Sequence, residues 1–160
     1  MKSYYIASCV FTAHYPKLSQ IVQDYMKRRG MVIVRCCVPK YKLQKFIDSM
    51  PEDYRDTWDS LPDSGDFQDG DTVISLCHNC SAIIEEQKPG VHVRSLWEYI
   101  AADKSFPLPD YGGRTMVLQD CWRAFDRTAE QNAVRSLLQR MHIAYEELPD
   151  NREQTNFCGI

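Results

Sequence analysis

Two hydrophobic rhythms alternate along the chain. Tyr4-Tyr5-Ile6-Ala7 is a run of β-forming residues, and residues 4–8 read as a strand. From 16 to 29 the spacing changes, with Leu18, Ile21, Val22, Tyr25 and Met26 recurring at helical intervals before Gly30, which predicts a helix closed by that glycine. Residues 31–34 return to strand, and a strand-helix-strand unit implies parallel pairing through a crossover. The spacing predicts a helix over 40–50. Residues 51–71 are acidic, aromatic and punctuated by Pro62, Gly65 and Gly70, and read as an excursion over the surface. A strand at 71–76, a helix at 81–87, a short strand at 91–94 and a helix at 96–102 follow, with Trp97, Tyr99 and Ile100 assigned to the core.

Two prolines and two glycines in 106–113 exclude regular structure and mark a linker. Beyond it the opening pattern recurs: a strand over 114–121 ending in Cys121, a helix over 128–141 with Val134, Leu137, Leu138 and Met141 on one face, and a strand over 142–146. Cys9 and Cys121 then hold equivalent places in two β-α-β units, as do Cys37 and Cys158, and an ancestral duplication is the economical account. The expected fold is α/β, a parallel sheet flanked by helices in two similar Rossmann-like halves, 1–105 and 114–160.

Composition narrows the function classes. With 160 residues, 44% of them hydrophobic, the chain can bury a core. A net charge of -3 gives no global basic field for nucleic acid. The apolar runs are too short to cross a bilayer, and residues 1–5 lack the layout of a signal peptide, so a cytoplasmic location is expected. In that reducing setting seven cysteines point to metal ligands or redox thiols, and an odd count fits a disulfide framework poorly.

Their placement sharpens this. Cys77 and Cys80 form a Cys-x-x-Cys pair after the 71–76 strand, Cys36-Cys37 follow the 31–34 strand, and Cys9 follows the first strand, so five sulfurs point to one sheet edge. Two thiols in one turn can reach a single soft metal, and helix amides behind them favour thiolate. The order Cys-x26-Cys-Cys-x39-Cys-x2-Cys resembles the cysteine-rich CCG domain found in the B-type component of heterodisulfide reductase and in its relatives among lactate-utilisation and glycerol-3-phosphate dehydrogenase iron-sulfur proteins. The resemblance implies a [4Fe-4S] cluster, noncubane in the archaeal enzyme, held by Cys9, Cys36, Cys37, Cys77 and Cys80, with an incomplete second motif at Cys121 and Cys158 before Gly159. It further implies electron transfer or thiol-disulfide reduction as a subunit or module of a redox complex, with a partner subunit or electron carrier and a disulfide or thiol as substrate class. Val38 stands where the first motif has glycine, Phe157 where the second has its first paired cysteine, and no second Cys-x-x-Cys follows, so a complete second cluster is not expected from these residues.

Three plainer readings stand beside this one. Four thiols can hold structural zinc in an interaction domain without redox activity. Cys77 and Cys80 can work alone as a thioredoxin-like dithiol. Cys121 and Cys158 can be inert core residues. His78, between the loop thiols, reads as a solvent-facing loop histidine, and His14, His92 and His142 show no ligand spacing. The basic clusters Lys27-Arg28-Arg29 and Lys40, Lys42, Lys45 read as solvated faces or a docking surface for an acidic partner. Gly112-Gly113 precedes a strand, the wrong side for a dinucleotide fingerprint.

Overall fold

The computed structural model describes residues 1–35 and 44–156. The chain is α/β and divides into two compact units, 1–94 and 95–160. In the first, strands β1 (Ser3–Ala7), β2 (Val32–Arg35), β3 (Thr72–Ser75) and β4 (His92–Ser95) form a four-stranded parallel sheet in the order β2-β1-β3-β4. Tyr4 on β1 is in register with Val32 on one side and Val73 on the other, so β1 lies inside the sheet. Its residues Tyr4, Tyr5, Ile6 and Ala7 are all buried, as a strand covered on both faces requires. Asp71 fixes the start of β3: its carboxylate accepts the backbone N–H groups of Lys2 at 2.7 Å and Gln68 at 3.0 Å, which hold it below the usual carboxylate range.

Two helices join β1 to β2. α1 (Cys9–His14), which the hydrophobic pattern does not announce, starts immediately after Ser8, and α2 (Pro16–Arg28) follows with proline in its first turn. Gly30, at φ +79°, takes the left-handed conformation that lets the chain turn back into β2. The buried side of α2 differs from the expected stripe. It carries Ser19, Gln23 and Met26, while Leu18 and Ile21 are 53% and 60% exposed. The reason is a buried polar cluster with α1: Thr12 Oγ1 donates to the Ser8 carbonyl at 2.7 Å and lies 2.8 Å from Ser19 Oγ, which Gln23 Nε2 reaches at 3.2 Å.

Part of the expected helix over 40–50 falls outside the described residues; within them lies α3 (Gln44–Asp48). The surface excursion over 51–71 is corrected. Residues Glu52–Asp59 form α4, begun by Pro51 and two acidic residues in the first turn, and it buries Trp58. The Trp58 indole N–H donates to the Ala7 carbonyl at 2.7 Å, at the end of β1. Phe67, also buried, packs on Tyr4 with ring centroids 4.8 Å apart. α5 (His78–Gln87) starts three residues earlier than expected, so His78 is a half-buried helical residue and no loop residue.

The second unit opens with a capping box at Ser95, whose side chain accepts from the Glu98 N–H while Glu98 accepts from the Ser95 N–H. α6 (Leu96–Ala102) buries Leu96 and Ile100, four residues apart; Trp97, expected in the core, is exposed because it points off that stripe. Residues 106–113 contain no helix or strand. β5 (Thr115–Leu118) and β6 (Ala144–Glu147) pair in parallel across α7 (Thr128–Arg140), which packs on α6. The buried side of α7 is again more polar than its apolar pattern predicts: Glu130, Gln131 and Arg135 lie on it with Ala133 and Leu137. Arg135 explains this. Its guanidinium donates to both Asp120 oxygens at 3.1 and 2.7 Å, to both Glu147 oxygens at 2.7 and 3.0 Å, and to the Gln131 carbonyl at 2.9 Å.

Candidate cysteine site

Cys77 ends the stretch after β3 and caps the amino end of α5; Cys80 lies in the first turn of that helix, and Cys9 opens α1 directly beyond β1. Because β1 and β3 are parallel neighbours, both chains reach the same carboxyl edge of the sheet, and the two helices start there. Hydrogen bonds fix the loop. The Ser75 hydroxyl accepts the Cys77 N–H at 3.2 Å and donates to the Cys77 carbonyl at 3.1 Å. That carbonyl also accepts from Ser81 N at 3.0 Å and Ser81 Oγ at 3.2 Å, closing the first turn of α5.

The Cys77 thiol is biased toward its thiolate form. The Cys80 thiol donates a hydrogen bond to it, and the backbone N–H groups of Asn79 and Cys80 add to that stabilisation against the opposing effect of burial, bringing the Cys77 pKa down to about 6. Cys9 is close enough for its charge to oppose that of Cys77. Cys9 is buried, whereas Cys77 and Cys80 are half-buried. One further neighbour is Tyr5, which no sequence motif marks: it is fully buried, and its phenol is held above the ordinary range first by burial and then by the charge of Cys80.

The structure therefore brings Cys9, Cys77 and Cys80 to one sheet edge. β2 reaches the same edge, since Ala7 pairs with Arg35, but Cys36 and Cys37 lie outside the described residues, as does Cys158. Cys121 belongs to the second unit, where it is half-buried and precedes a 3-10 turn over Trp122–Ala124. Among the described residues no three His, Cys, Asp or Glu side chains form a group that could hold a metal ion. The donor chemistry of the Cys77–Cys80 pair, two thiols in one turn with one biased toward thiolate, is of the kind soft metals take, and a metal centre would need ligands beyond this pair. Without a metal, the same geometry is that of a hydrogen-bonded dithiol at a helix start.

Ser75 and Tyr5 are the contributors that sequence patterns do not name. A tyrosine in a strand buried on both faces is the available signal for Tyr5, because its polar tip then needs an internal partner. Compared with protein families, with characterised proteins and with solved structures, the chain gives no match.

Proposed function

We propose that this chain is a cysteine-centred redox protein of the CCG type, holding an iron-sulfur cluster through Cys9, Cys36, Cys37, Cys77 and Cys80. Its work is electron transfer or thiol-disulfide reduction as a subunit or module of a complex, in the reducing cytoplasm, with an electron carrier as partner. The observation that supports this most is the gathering of Cys9, Cys77 and Cys80 at one carboxyl sheet edge around a stabilised thiolate. No helix among the described residues is long and apolar enough to cross a membrane.

A bound cluster supplies a one-electron carrier whose potential follows burial and hydrogen bonds to sulfur. The residues of this chain contribute the rest. Cys77 needs little further deprotonation before ligating, α5 amides stabilise negative sulfur, and buried Ile6, Val73 and Ile74 keep water from the sheet beneath the site.

The test is iron and acid-labile sulfide per chain in protein prepared without oxygen. Iron and sulfide in equal amounts are expected, with most of both lost in Cys36→Ser and Cys37→Ser and most retained in Cys158→Ser. Equal loss in all three variants would place Cys158 inside the site. A colourless protein holding zinc and no sulfide would sink the iron-sulfur reading. The hydrogen bond from Cys80 to the Cys77 sulfur favours a second reading, direct dithiol exchange, which a metal-free protein cycling between dithiol and Cys77–Cys80 disulfide would establish.

A further inference from the structure

We propose that the outward face of α2 is a docking surface for a partner protein that presents an acidic amphipathic helix. The inference goes beyond the reading of the thiols, since α2 carries none of them. This helix is turned inside out relative to its hydrophobic pattern, and hydrogen bonds fix that setting. Its buried residues are Ser19, Gln23 and Met26. Ser19 Oγ lies 2.8 Å from Thr12 Oγ1, and Gln23 Nε2 donates to Ser19 Oγ at 3.2 Å, so rotating α2 to bury its leucine would break the buried contact with α1. Leu18 and Ile21 therefore stay outside, 53% and 60% exposed, followed by half-buried Tyr25. Spaced i, i+3 and i+7, the three make one narrow stripe, the pattern with which helices dock on helices.

Charge says what covers the stripe. Lys17, four residues before Ile21, and Arg28, three after Tyr25, continue the same face; both are exposed and have no ion-pair partner among the described residues. Lys17 sits in the first turn, where the helix field favours an anion and no acidic residue is present. Arg29 adds a third cation, its guanidinium 5.1 Å from the centre of the Tyr25 ring. The whole chain carries a net charge of -3, so this face runs against its own background. A second copy fits poorly: paired in either direction, two α2 helices set cation against cation at both ends. A membrane surface fits poorly too, because a helix lying in lipid needs a broad apolar face, and Asp24 borders this narrow one. Carboxylates flanking an aliphatic stripe on a partner helix satisfy both the apolar centre and the basic ends.

The experiment uses the full-length protein as purified and a fluorescent synthetic peptide of about three heptads, with leucine at the first and fourth positions and glutamate flanking them. A twin peptide has lysine in place of every glutamate. By fluorescence anisotropy the parent should bind the acidic peptide about tenfold or more tighter than the twin, and more weakly as salt rises from about 50 to 300 mM. Ile21→Glu, and Lys17→Glu combined with Arg28→Glu, should each weaken that binding about tenfold or more. Val117→Glu, at an exposed apolar residue of the other unit, should leave it unchanged. The substituted side chains are exposed, so each variant should melt as the parent does by circular dichroism; Ile21→Ser repeats the comparison if Ile21→Glu melts early. Equal binding of the two peptides, or parental binding by the Ile21 and charge variants, would overturn the inference. So would either rival occupant: a dimer in sedimentation that Ile21→Glu dissociates, or Ile21-dependent binding to phosphatidylserine–phosphatidylcholine vesicles in place of the peptide. A parent that never binds iron would remove the cluster proposal and leave this comparison standing.

Discussion

Cys77 is where local structure becomes chemistry. In metal-free protein its thiol should titrate near pH 6, as thiolate absorbance near 240 nm reports. At pH 7 that corresponds to about nine-tenths thiolate, against about one-hundredth for a thiol at the ordinary value of 9.0. Iodoacetamide should therefore label Cys77 before Cys9, which is buried. Cys80→Ala removes the largest stabilising contact and should slow Cys77 labelling at pH 7 several-fold; an unchanged rate would show that the helix amides suffice. The thiolate also favours the folded state: its folded pKa lies below the unfolded value, so this contribution grows as pH rises from about 6 to 9 and is lost below 6. The places of Cys9 and Cys77 beyond β1 and β3 are legible in the sequence because each follows a β-forming run. Tyr5 and Ser75 are not, since a strand pattern names a face without naming what a hydroxyl on that face meets.

Among the elements, strands are plain in the sequence and buried helix faces are not. Period-based reading assumes that apolar residues turn inward, and α2 departs from it because Thr12 on α1 offers Ser19 and Gln23 a hydrogen-bonded interior. α4 is hidden by its acidic composition, although Tyr54 and Trp58 lie four residues apart and Trp58 anchors the helix to β1. On α7 the side chain that decides the packing is Arg135, a residue that sequence patterns assign to solvent. Glu147, which it and then Arg152 stabilise, is brought from 4.5 down to about 2. A carboxylate lowered in the folded state stabilises above its unfolded value and loses that contribution as pH falls through the folded one, here from about 4.5 to 2. Acid titration of unfolding, followed by circular dichroism, should show this limb in the parent and a flatter one in Glu147→Gln. Arg135→Ala, which leaves Asp120 buried without its cation, should be more damaging, by about 3–5 kcal/mol.

For the whole molecule, the α/β class and parallel pairing follow from strand-helix-strand order, and both units repeat a plan: two parallel strands joined by way of a 13-residue helix, the first running toward a cysteine. The pairing of β1 with β3 carries a kinetic consequence. Tyr4 meets Val73 only after the intervening chain has closed a long loop, so the edge that brings Cys9 to Cys77 forms late, and until then the thiols are open to the wrong partners. Refolding from urea should be slow beside helical proteins of this size, and its yield should depend on reductant present during the first moments more than on reductant added afterwards. Delayed addition that recovers the full yield would show that the sheet closes before the sulfurs can mispair. On this account reductant is needed while the sheet is still closing, before the finished fold can shield its own thiols.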